Sequence, residues 1–219
     1  MKLFTYWRSS AAYRVRIGLN LKKLAYESAF VDLLRDGGEH LKAPYSAINP
    51  MGVVPSLQLE DGTIVTQSMA ILEYLEETHP EPAFLPGKPS ERARVRALAQ
   101  IVACDIHPVN NLRVTSYLTG RFGLDADARE AWMRHWIERG FLGLETLLTQ
   151  RGETGAFCHG ARPGLADMYL VPQVYNARRF KVDLTPYPAI RRIEAACLAL
   201  DAFARAAPEA QGDARPGNV

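Results

Sequence analysis

The sequence predicts an α+β protein in which a small mixed sheet with helices precedes an all-helical part. Strand and helix patterns alternate through residues 1–82, and no strand pattern of any weight follows Thr66. A proline-rich stretch at residues 79–89 separates the two regions, because it cannot continue a helix. We therefore expect two domains, at residues 1–82 and 90–212.

Composition and charge limit the classes of partner. The 219 residues are 47% hydrophobic and 23% charged, with a net charge of +2, which is too small to indicate nucleic acid or a membrane surface. The N-terminal apolar run is too short for a signal peptide, and no stretch is long enough to span a bilayer. Three widely spaced cysteines favour reduced thiols over a zinc site or a disulfide framework. We expect a cytoplasmic protein without a metal.

The first strand, turn and helix form the start of a βαβ unit. Residues 2–7 are short and rich in aromatics, as strands are, and residues 26–33 predict a second strand. Ser9 and Ser10 stand before an Ala-Ala-Tyr-Arg run, which is a helix start signal. The two strands should therefore be parallel, with the helix on one face of the sheet. Residues 39–47 predict a short helix or an irregular segment.

A hairpin and a helix complete the N-terminal region. Residues 56–60 and 63–66 alternate in polarity and are split by Asp61-Gly62, which predicts antiparallel strands joined by a primed turn. Ser68 is the expected N-cap of the next helix, whose apolar residues fall on one face.

The C-terminal region predicts helices only. They are expected at residues 91–122, with a kink at His107-Pro108, and at 126–149, 164–180 and 188–206. Asp167 lies three residues after the expected N-cap Gly164, which predicts half of a capping box with a folding role. The tail from Pro208 is expected to be frayed.

The turn before the first helix is a candidate anion site. Exposed N–H groups and the positive end of the helix dipole lie there, and both favour a bound anion. From the residues alone, Ser9 is either a plain helix cap or part of that anion site.

Two further segments have the chemistry of a peptide-binding groove. Pro55 at the mouth of a strand leaves the backbone of Val54 free to pair with an extended ligand. Gln67 and Ser68, at a strand-to-helix junction, offer donors and acceptors for a carboxylate. If these segments meet the Ser9 turn at one edge of the sheet, they form a groove for a short anionic peptide.

These motifs together resemble the zeta class of the glutathione transferases. The resemblance rests on Arg8-Ser9-Ser10 with Arg14-Val15-Arg16-Ile17, Asn49-Pro50-Met51 with Val54-Pro55, Gln67-Ser68 with the helix after it, and residues 170–174 and 177–188. It covers nearly the whole chain up to the tail. It implies a thioredoxin-like N-terminal domain, an all-helical second domain and a homodimer whose glutathione site borrows from the partner subunit.

The resemblance also implies roles for individual residues. Ser9 would hold the glutathione sulfur as a thiolate, which leaves Ser10 as the expected plain cap of the helix. Gln67 and Ser68 would bind the glutamyl end, and the Val54 backbone would pair with the cysteinyl part. The expected set of glutathione-binding residues is Ser9, Ser10, His40, Val54, Pro55, Gln67, Ser68, His107, Asn111 and Arg113. Arg14 and Arg16 are expected to make structural pairs with carboxylates.

The implied activity is glutathione-dependent cis–trans isomerisation of a maleyl dicarboxylate, by reversible addition of the thiolate. The catalytic set is Ser9 with Arg8 and Arg179, since cations must hold two carboxylates and an enolate. Arg113 is a weaker third cation. Maleylacetoacetate is the first choice of substrate, with maleylpyruvate close behind.

Several alternatives stay open. One is a glutathione transferase acting on haloacids or other electrophiles, and another is a non-catalytic binding protein with this fold. The zeta pattern has cysteine where this chain has Ala11, and usually tryptophan where it has Tyr13. Ala11 disfavours a glutaredoxin-like redox role, and the lack of a Gly-x-Ser-x-Gly elbow disfavours a hydrolase.

Overall fold

The computed structural model describes residues 1–215, so residues 216–219 of the predicted frayed tail lie outside the described residues. The strands and helices, in chain order, are β1 Lys2–Thr5, α1 Ser10–Leu21, β2 Glu27–Phe30, α2 Tyr45–Ile48, β3 Ser56–Gln58, β4 Ile64–Thr66, α3 Ser68–Thr78, α4 Pro89–Gln100, α5 Leu112–Phe122, α6 Ala126–Thr149, α7 Leu165–Arg179, α8 Pro188–Leu198 and α9 Asp201–Ala204. A π-helix spans Ile101–Ile106, and single 3₁₀ turns span Arg35–Gly37, Glu39–Leu41 and Pro208–Ala210.

The chain forms two compact units. One contains Met1–Phe84 together with the segment that starts at Ala199, and the other contains Leu85–Leu198. The domain limits expected from the sequence, at residues 1–82 and 90–212, stay a prediction.

The sheet of the first unit confirms the predicted α+β class. Its strand order is β2-β1-β3-β4. β1 and β2 are parallel, whereas β3 is antiparallel to both β1 and β4. β1 buries Leu3 and Thr5 on one face, and it turns Phe4 to the other face, as the two-residue period of a strand requires. The residues between β2 and β3 form single turns and the four-residue α2, in keeping with the expected short helix or irregular segment.

The main core of the first unit lies under α1 and α3, which pack against each other. Leu3 and Leu57 of the sheet and Ile17 of α1 are fully buried, as are Ile71 and Leu72 of α3. Burying side chains of this size stabilises a fold by about 1.5–3 kcal/mol each.

A buried lysine ties the start of the linker to α1. Lys22 Nζ lies 3.1 Å from Oε2 of Glu76 and donates to the carbonyl of Pro82 at 3.0 Å. It also donates to the carbonyl of His79, and lies 3.9 Å from the ring centre of Phe84. Every one of these partners lies in the first unit, so the ammonium joins α1, the end of α3 and the linker within one compact body.

The hairpin turn differs from the predicted primed type. The Gly62 N–H donates to the Leu59 carbonyl at 3.2 Å, so the central turn residues are Glu60 and Asp61. Neither has a positive φ, and the left-handed conformation falls on Gly62, with φ of 88°. The loop is therefore a three-residue one in which Gly62 supplies the twist.

The C-terminal segment is ordered where the sequence predicted fraying. Phe203 and Ala206 are fully buried in the first unit. The Trp7 N–H donates to Oδ2 of Asp213 at 3.0 Å, and Arg215 pairs with Asp32. The prediction was wrong for residues 208–215 because these long-range contacts leave no local pattern in the sequence.

The second unit is helical, and two of its predicted helices are divided. The 91–122 prediction corresponds to α4, the π-helix and α5, with a new start at the N-cap Asn111. Pro108 lacks an N–H, so the interruption falls where the kink was expected. The 188–206 prediction divides into α8 and α9, and α9 belongs to the first unit.

The other two helices follow their predicted bounds. α6 spans Ala126–Thr149, and α7 begins after the N-cap Gly164. Oδ2 of Asp167 accepts the Gly164 N–H at 2.8 Å, which confirms the predicted half of a capping box, because glycine has no side chain to return the bond. Oδ1 accepts the Cys158 N–H at 2.9 Å, so the same carboxylate fastens the preceding loop. None of the described helices combines the length and apolar composition that crossing a membrane requires.

Candidate functional site

Ser9, not Ser10, caps α1. Its backbone is extended, with φ of −71° and ψ of 115°, and its Oγ accepts the Ala12 N–H at 3.2 Å. Ser10 is the first helical residue and is buried, so its expected role as the plain cap was wrong. The cap bond uses a lone pair of Ser9 Oγ and leaves its proton available. A half-exposed hydroxyl at a helix N-terminus can therefore donate to an anion while it caps the helix.

The strand registers bring the predicted groove segments to one end of the sheet. Phe4 pairs with Ser56, and Ser56 pairs with Thr66. The end of β1, the start of β3 and the end of β4 therefore lie side by side. Ser9 follows the first, Val54 precedes the second, and Gln67 follows the third. The edge arrangement expected from the sequence is thus present.

The backbone of Val54 is placed for pairing with an extended ligand. Among residues 1–215, no backbone hydrogen bond uses its N–H or carbonyl. The bond to Pro55 is cis. The preceding carbonyl, of Val53, accepts the Tyr45 hydroxyl at 2.6 Å and Nδ2 of Asn49 at 2.7 Å. These two bonds fix the chain just before Val54, so its own polar groups are held in position.

The junction of β4 and α3 has an unusual backbone. Gln67 has φ of 69° and ψ of 122°, which is sparsely populated for a residue with a side chain and costs roughly 1 kcal/mol or more. It is the N-cap residue, and Ser68 is the first residue of α3, so the prediction of Ser68 as N-cap was wrong. Oγ of the buried Ser68 accepts a hydrogen bond from Nη1 of Arg14 at 3.2 Å. A guanidinium therefore lies directly behind this junction.

Arg8 lies over an indole. Its Cζ is 5.1 Å from the ring centre of Trp7, which is 4% exposed. A guanidinium over an aromatic face is attracted by the ring quadrupole. The buried ring thus supports a half-exposed cation immediately before Ser9.

His40 lies in the 3₁₀ turn Glu39–Leu41, beyond the carboxyl end of β2. Because β2 runs parallel to β1, that end of β2 lies at the same edge of the sheet as the Ser9 turn. Within residues 1–215, Nδ1 of His40 is buried without a hydrogen-bond partner, and burial lowers the pKa of the imidazole ring. Gly38 makes room for it, since a Cβ there would lie 2.4 Å from His40 Cε1. A neutral imidazole suits a binding contact better than an anion site.

Four predicted residues lie in the second unit and are placed there individually. His107 ends the π-helix. The side chain of Asn111 caps α5 by accepting the Arg113 N–H at 3.1 Å, and Arg113 is exposed. Arg179 ends α7, with Cζ 4.9 Å from the ring centre of Phe180. Their assignment to the glutathione or substrate site stays a prediction.

The hydrogen-bond partners around the Ser9 turn were not predicted from the sequence. Arg16, expected to pair with a carboxylate, instead donates to the carbonyls of Tyr6, Trp7 and Ala206. Asp213 was assigned to a frayed tail but contacts Trp7. The sequence shows two arginines, Arg14 and Arg16, among the apolar residues of α1, but it does not show which groups accept their hydrogen bonds. The described part of the chain holds no group of three or more His, Cys, Asp or Glu residues suited to a metal ion.

Known proteins share this architecture over the full chain. A family model described as the glutathione S-transferase N-terminal domain matches residues 8–78. A probable maleylacetoacetate isomerase of Vibrio cholerae is 50% identical over 212 residues, which are 97% of each chain. The holo structure of a maleyl pyruvate isomerase, described as a bacterial glutathione S-transferase in zeta class, is 52% identical with a TM-score of 0.95, and covers 98% of this chain and 100% of that chain.

A third similar protein was solved with a ligand in its active site. It is the maleylacetoacetate isomerase of Anaeromyxobacter dehalogenans 2CP-1, with bound dicarboxyethyl glutathione and citrate. It is 48% identical with a TM-score of 0.87, and covers 99% of this chain and 94% of that chain. These similarities confirm the expected fold, and the chain belongs to the zeta class of the glutathione S-transferase family.

Proposed function

We propose that this protein is a glutathione-dependent cis–trans isomerase of maleyl dicarboxylates. Maleylacetoacetate is the first choice of substrate, and maleylpyruvate is the alternative. The observation that carries the proposal is the half-exposed Ser9 hydroxyl at the N-terminus of α1, at the sheet edge that also carries Val54 and Gln67. Glutathione is an anionic peptide with a thiol, and this edge offers a hydroxyl donor, the backbone of Val54 just before β3 and a helix start.

The Ser9 hydroxyl and the start of α1 favour the thiolate form of glutathione. A donor and a helix dipole both stabilise negative charge, so they lower the pKa of a thiol held there. Ser9 Oγ accepts the Ala12 N–H, so the hydroxyl proton stays available for a bond to the sulfur. No protein thiol is required, since position 11 is alanine.

The reaction balances with glutathione as the nucleophile. The thiolate adds to one carbon of the cis double bond, and the electron pair moves to the conjugated carbonyl, giving an enolate. The former double bond is then single and rotates. The enolate reforms the double bond and expels the thiolate, so the trans product leaves and glutathione is regenerated.

Cations hold the dicarboxylate and the developing enolate. Arg8, fixed over the Trp7 ring and adjacent to Ser9, is the residue proposed to face the reacting carbons. Arg179 is proposed to hold a substrate carboxylate, on the strength of the resemblance. The adduct in the Anaeromyxobacter structure supports this chemistry, because a dicarboxyethyl group on glutathione is what addition to a maleyl-type double bond produces.

The binding roles follow the three segments of the groove. Gln67 and Ser68 are proposed to hold the glutamyl end, with the charge of Arg14 behind them. The backbone of Val54 is proposed to pair with the cysteinyl part. His40, His107, Asn111 and Arg113 are proposed as further contacts. A cytoplasmic homodimer, in which the partner subunit completes the site, is the proposed working form.

The test follows the absorbance of maleylacetoacetate and of maleylpyruvate with glutathione, with S-methylglutathione and with neither. We expect isomerisation with glutathione alone, because S-methylglutathione resembles the peptide but has no thiol to ionise. The ratio of kcat/KM for the two substrates decides between them. Equal rates with and without the thiol would contradict the proposal, and turnover of haloacids alone would indicate the transferase alternative.

A further inference from the structure

The backbone of Trp7 is held from both sides. Its N–H donates to Oδ2 of Asp213 at 3.0 Å, and its carbonyl accepts a bond from Nη2 of Arg16 at 2.9 Å. Trp7 joins the end of β1 to Arg8 and Ser9, so these bonds act on the short connection that carries both side chains. One of them comes from a residue 206 positions away in sequence.

Arg16 connects the same turn to the C-terminal segment. Its side chain is fully buried, and its Nε donates to the Ala206 carbonyl at 3.0 Å. Nη1 donates to Thr5 Oγ1 at 3.1 Å and to the Tyr6 carbonyl at 3.3 Å. Each of these acceptors is a neutral dipole of the turn or of the C-terminal segment, and the nearby charge of Asp213 also favours the protonated guanidinium.

The Tyr6 carbonyl passes this restraint on to Ser9. It accepts the Ser9 N–H at 3.0 Å as well as the bond from Arg16. Arg16 therefore contacts the carbonyl that orients the backbone of Ser9, and Asp213 contacts the residue whose ring supports Arg8. Both proposed catalytic side chains therefore follow a turn that is hydrogen-bonded to the C-terminal segment, directly and through Arg16.

Asp213 has the features of a residue placed for this bond. Its Oδ2 accepts the Trp7 N–H, while its Oδ1 is buried without a hydrogen-bond partner among the described residues. Burial raises the pKa of this carboxyl, and the Trp7 bond and the charge of Arg16 act in the opposite direction. Burying a carboxyl without a hydrogen bond costs free energy, and the bond from the Trp7 N–H offsets part of that cost for Asp213.

We propose that Asp213 and Arg16 are positioning residues for the isomerisation, and that the C-terminal segment is therefore part of the catalytic apparatus. They act through Trp7 and Tyr6 to hold Arg8 and Ser9 where the thiolate and the enolate form. This inference rests on the proposed function. Misplacing a catalytic group by about 1 Å costs up to ~10²-fold in rate, so the turn needs a fixed anchor.

The test compares Asp213→Ala with Asp213→Asn. The amide oxygen of asparagine can still accept the Trp7 N–H, whereas alanine cannot. Asp201→Ala is the matched control in the same segment, because Asp201 is exposed and its carboxylate pairs with Arg205, four residues later, at 2.9 Å. The readouts are kcat, KM for the maleyl substrate, the pH at which bound glutathione ionises, followed by thiolate absorbance, and thermal unfolding.

We expect Asp213→Ala to lower kcat about tenfold with a small change in KM, and to raise the ionisation pH of bound glutathione. Asp213→Asn should retain most of the activity, and Asp201→Ala all of it. Equal losses in both Asp213 variants would overturn the inference, because they would indicate charge and not the Trp7 bond. A lower melting temperature with unchanged kcat and ionisation pH would also overturn it.

These outcomes are distinguishable from failure of the proposed function. If the wild-type protein does not isomerise maleyl compounds, the proposed function fails. The ionisation of bound glutathione still tests the positioning of Ser9, because it needs only the cofactor. An ionisation pH that is identical in the wild type and Asp213→Ala overturns the inference whatever the substrate is.

Discussion

Nη1 of Arg14 donates a hydrogen bond to Oγ of Ser68 at 3.2 Å, which joins the middle of α1 to the first residue of α3. Ser9 begins one of these helices and Gln67 precedes the other. The two helix starts that line the proposed groove are thus fixed to each other inside the first unit.

The first prediction concerns that bond. Arg14→Met should weaken glutathione binding about tenfold, because a hydrogen bond to a charged group is worth about 1.5–3 kcal/mol and its loss loosens the α3 start. Calorimetric titration measures the effect. In a double-mutant cycle with Ser68→Ala, the two changes should be less than additive. Full additivity would show that Arg14 acts on the site independently of Ser68.

The second prediction separates the two roles of Ser9. Ser9→Thr keeps a hydroxyl and a cap, Ser9→Asp keeps a cap acceptor without a donor, and Ser9→Ala removes both. We expect kcat to fall by ~10² or more in the alanine and aspartate variants, as when one preorganised donor is lost. Only alanine should lower stability, by about 1 kcal/mol, measured by denaturant unfolding. Comparable activity of Ser9→Asp and wild type would exclude thiolate stabilisation by the hydroxyl.

The third prediction uses neighbouring arginines with different partners. Arg178 Nε donates to Oε1 of Glu194 at 3.0 Å, and that bond raises the pKa of the guanidinium. Arg178→Ala should therefore lower the melting temperature and leave KM unchanged. Arg179→Ala should raise KM for dicarboxylates and have little effect on neutral electrophiles. Steady-state kinetics on both substrate classes check this. A raised KM for dicarboxylates in Arg178→Ala, with an unchanged KM in Arg179→Ala, would refute the role given to Arg179.

The fourth prediction concerns acid stability at Asp32. Burial alone would raise the pKa of its carboxyl, but the N–H groups of Leu34 and Arg35 and the charges of Arg215 and Arg35 together lower it. Because the pKa is lower in the folded state, ionised Asp32 stabilises the protein at pH values above its unfolded pKa of about 4. This stabilisation is lost as the pH falls through the folded-state pKa. Asp32→Asn should cost about 1 kcal/mol at neutral pH and progressively less in acid. A cost that does not change with pH would contradict this.

The order of strands and helices was accessible from the sequence because it depends on local patterns. The aromatic content of β1, the alternation of the hairpin strands and the apolar face of α3 indicate element type, and the strand-end positions of Val54 and Gln67-Ser68 predicted the sheet edge that they share. The N-caps of α1 and α3 each lie one residue before the expected position, whereas that of α7 is where it was expected. Ser9 and Ser10 are both good cap residues, and only the backbone conformation decides between them.

The features that the sequence did not predict are those that depend on distant contacts. Nothing near Asp213 indicates that its carboxylate meets Trp7, and nothing in α1 indicates that Arg16 contacts the Ala206 carbonyl. The left-handed conformation of Gln67 has the same origin, because tertiary structure imposes it against local preference. The long-range contacts of the turn before Ser9 are therefore evident only in the folded chain.

The proposed role of Ser9 is to hold the glutathione sulfur as a thiolate. It is tested most directly by the thiolate absorbance of glutathione bound to the wild type and to Ser9→Ala, followed as a function of pH. We expect the wild type to ionise bound glutathione well below the pH that free glutathione requires, and Ser9→Ala to move the transition back towards the free value. Identical transitions in the two proteins would contradict it.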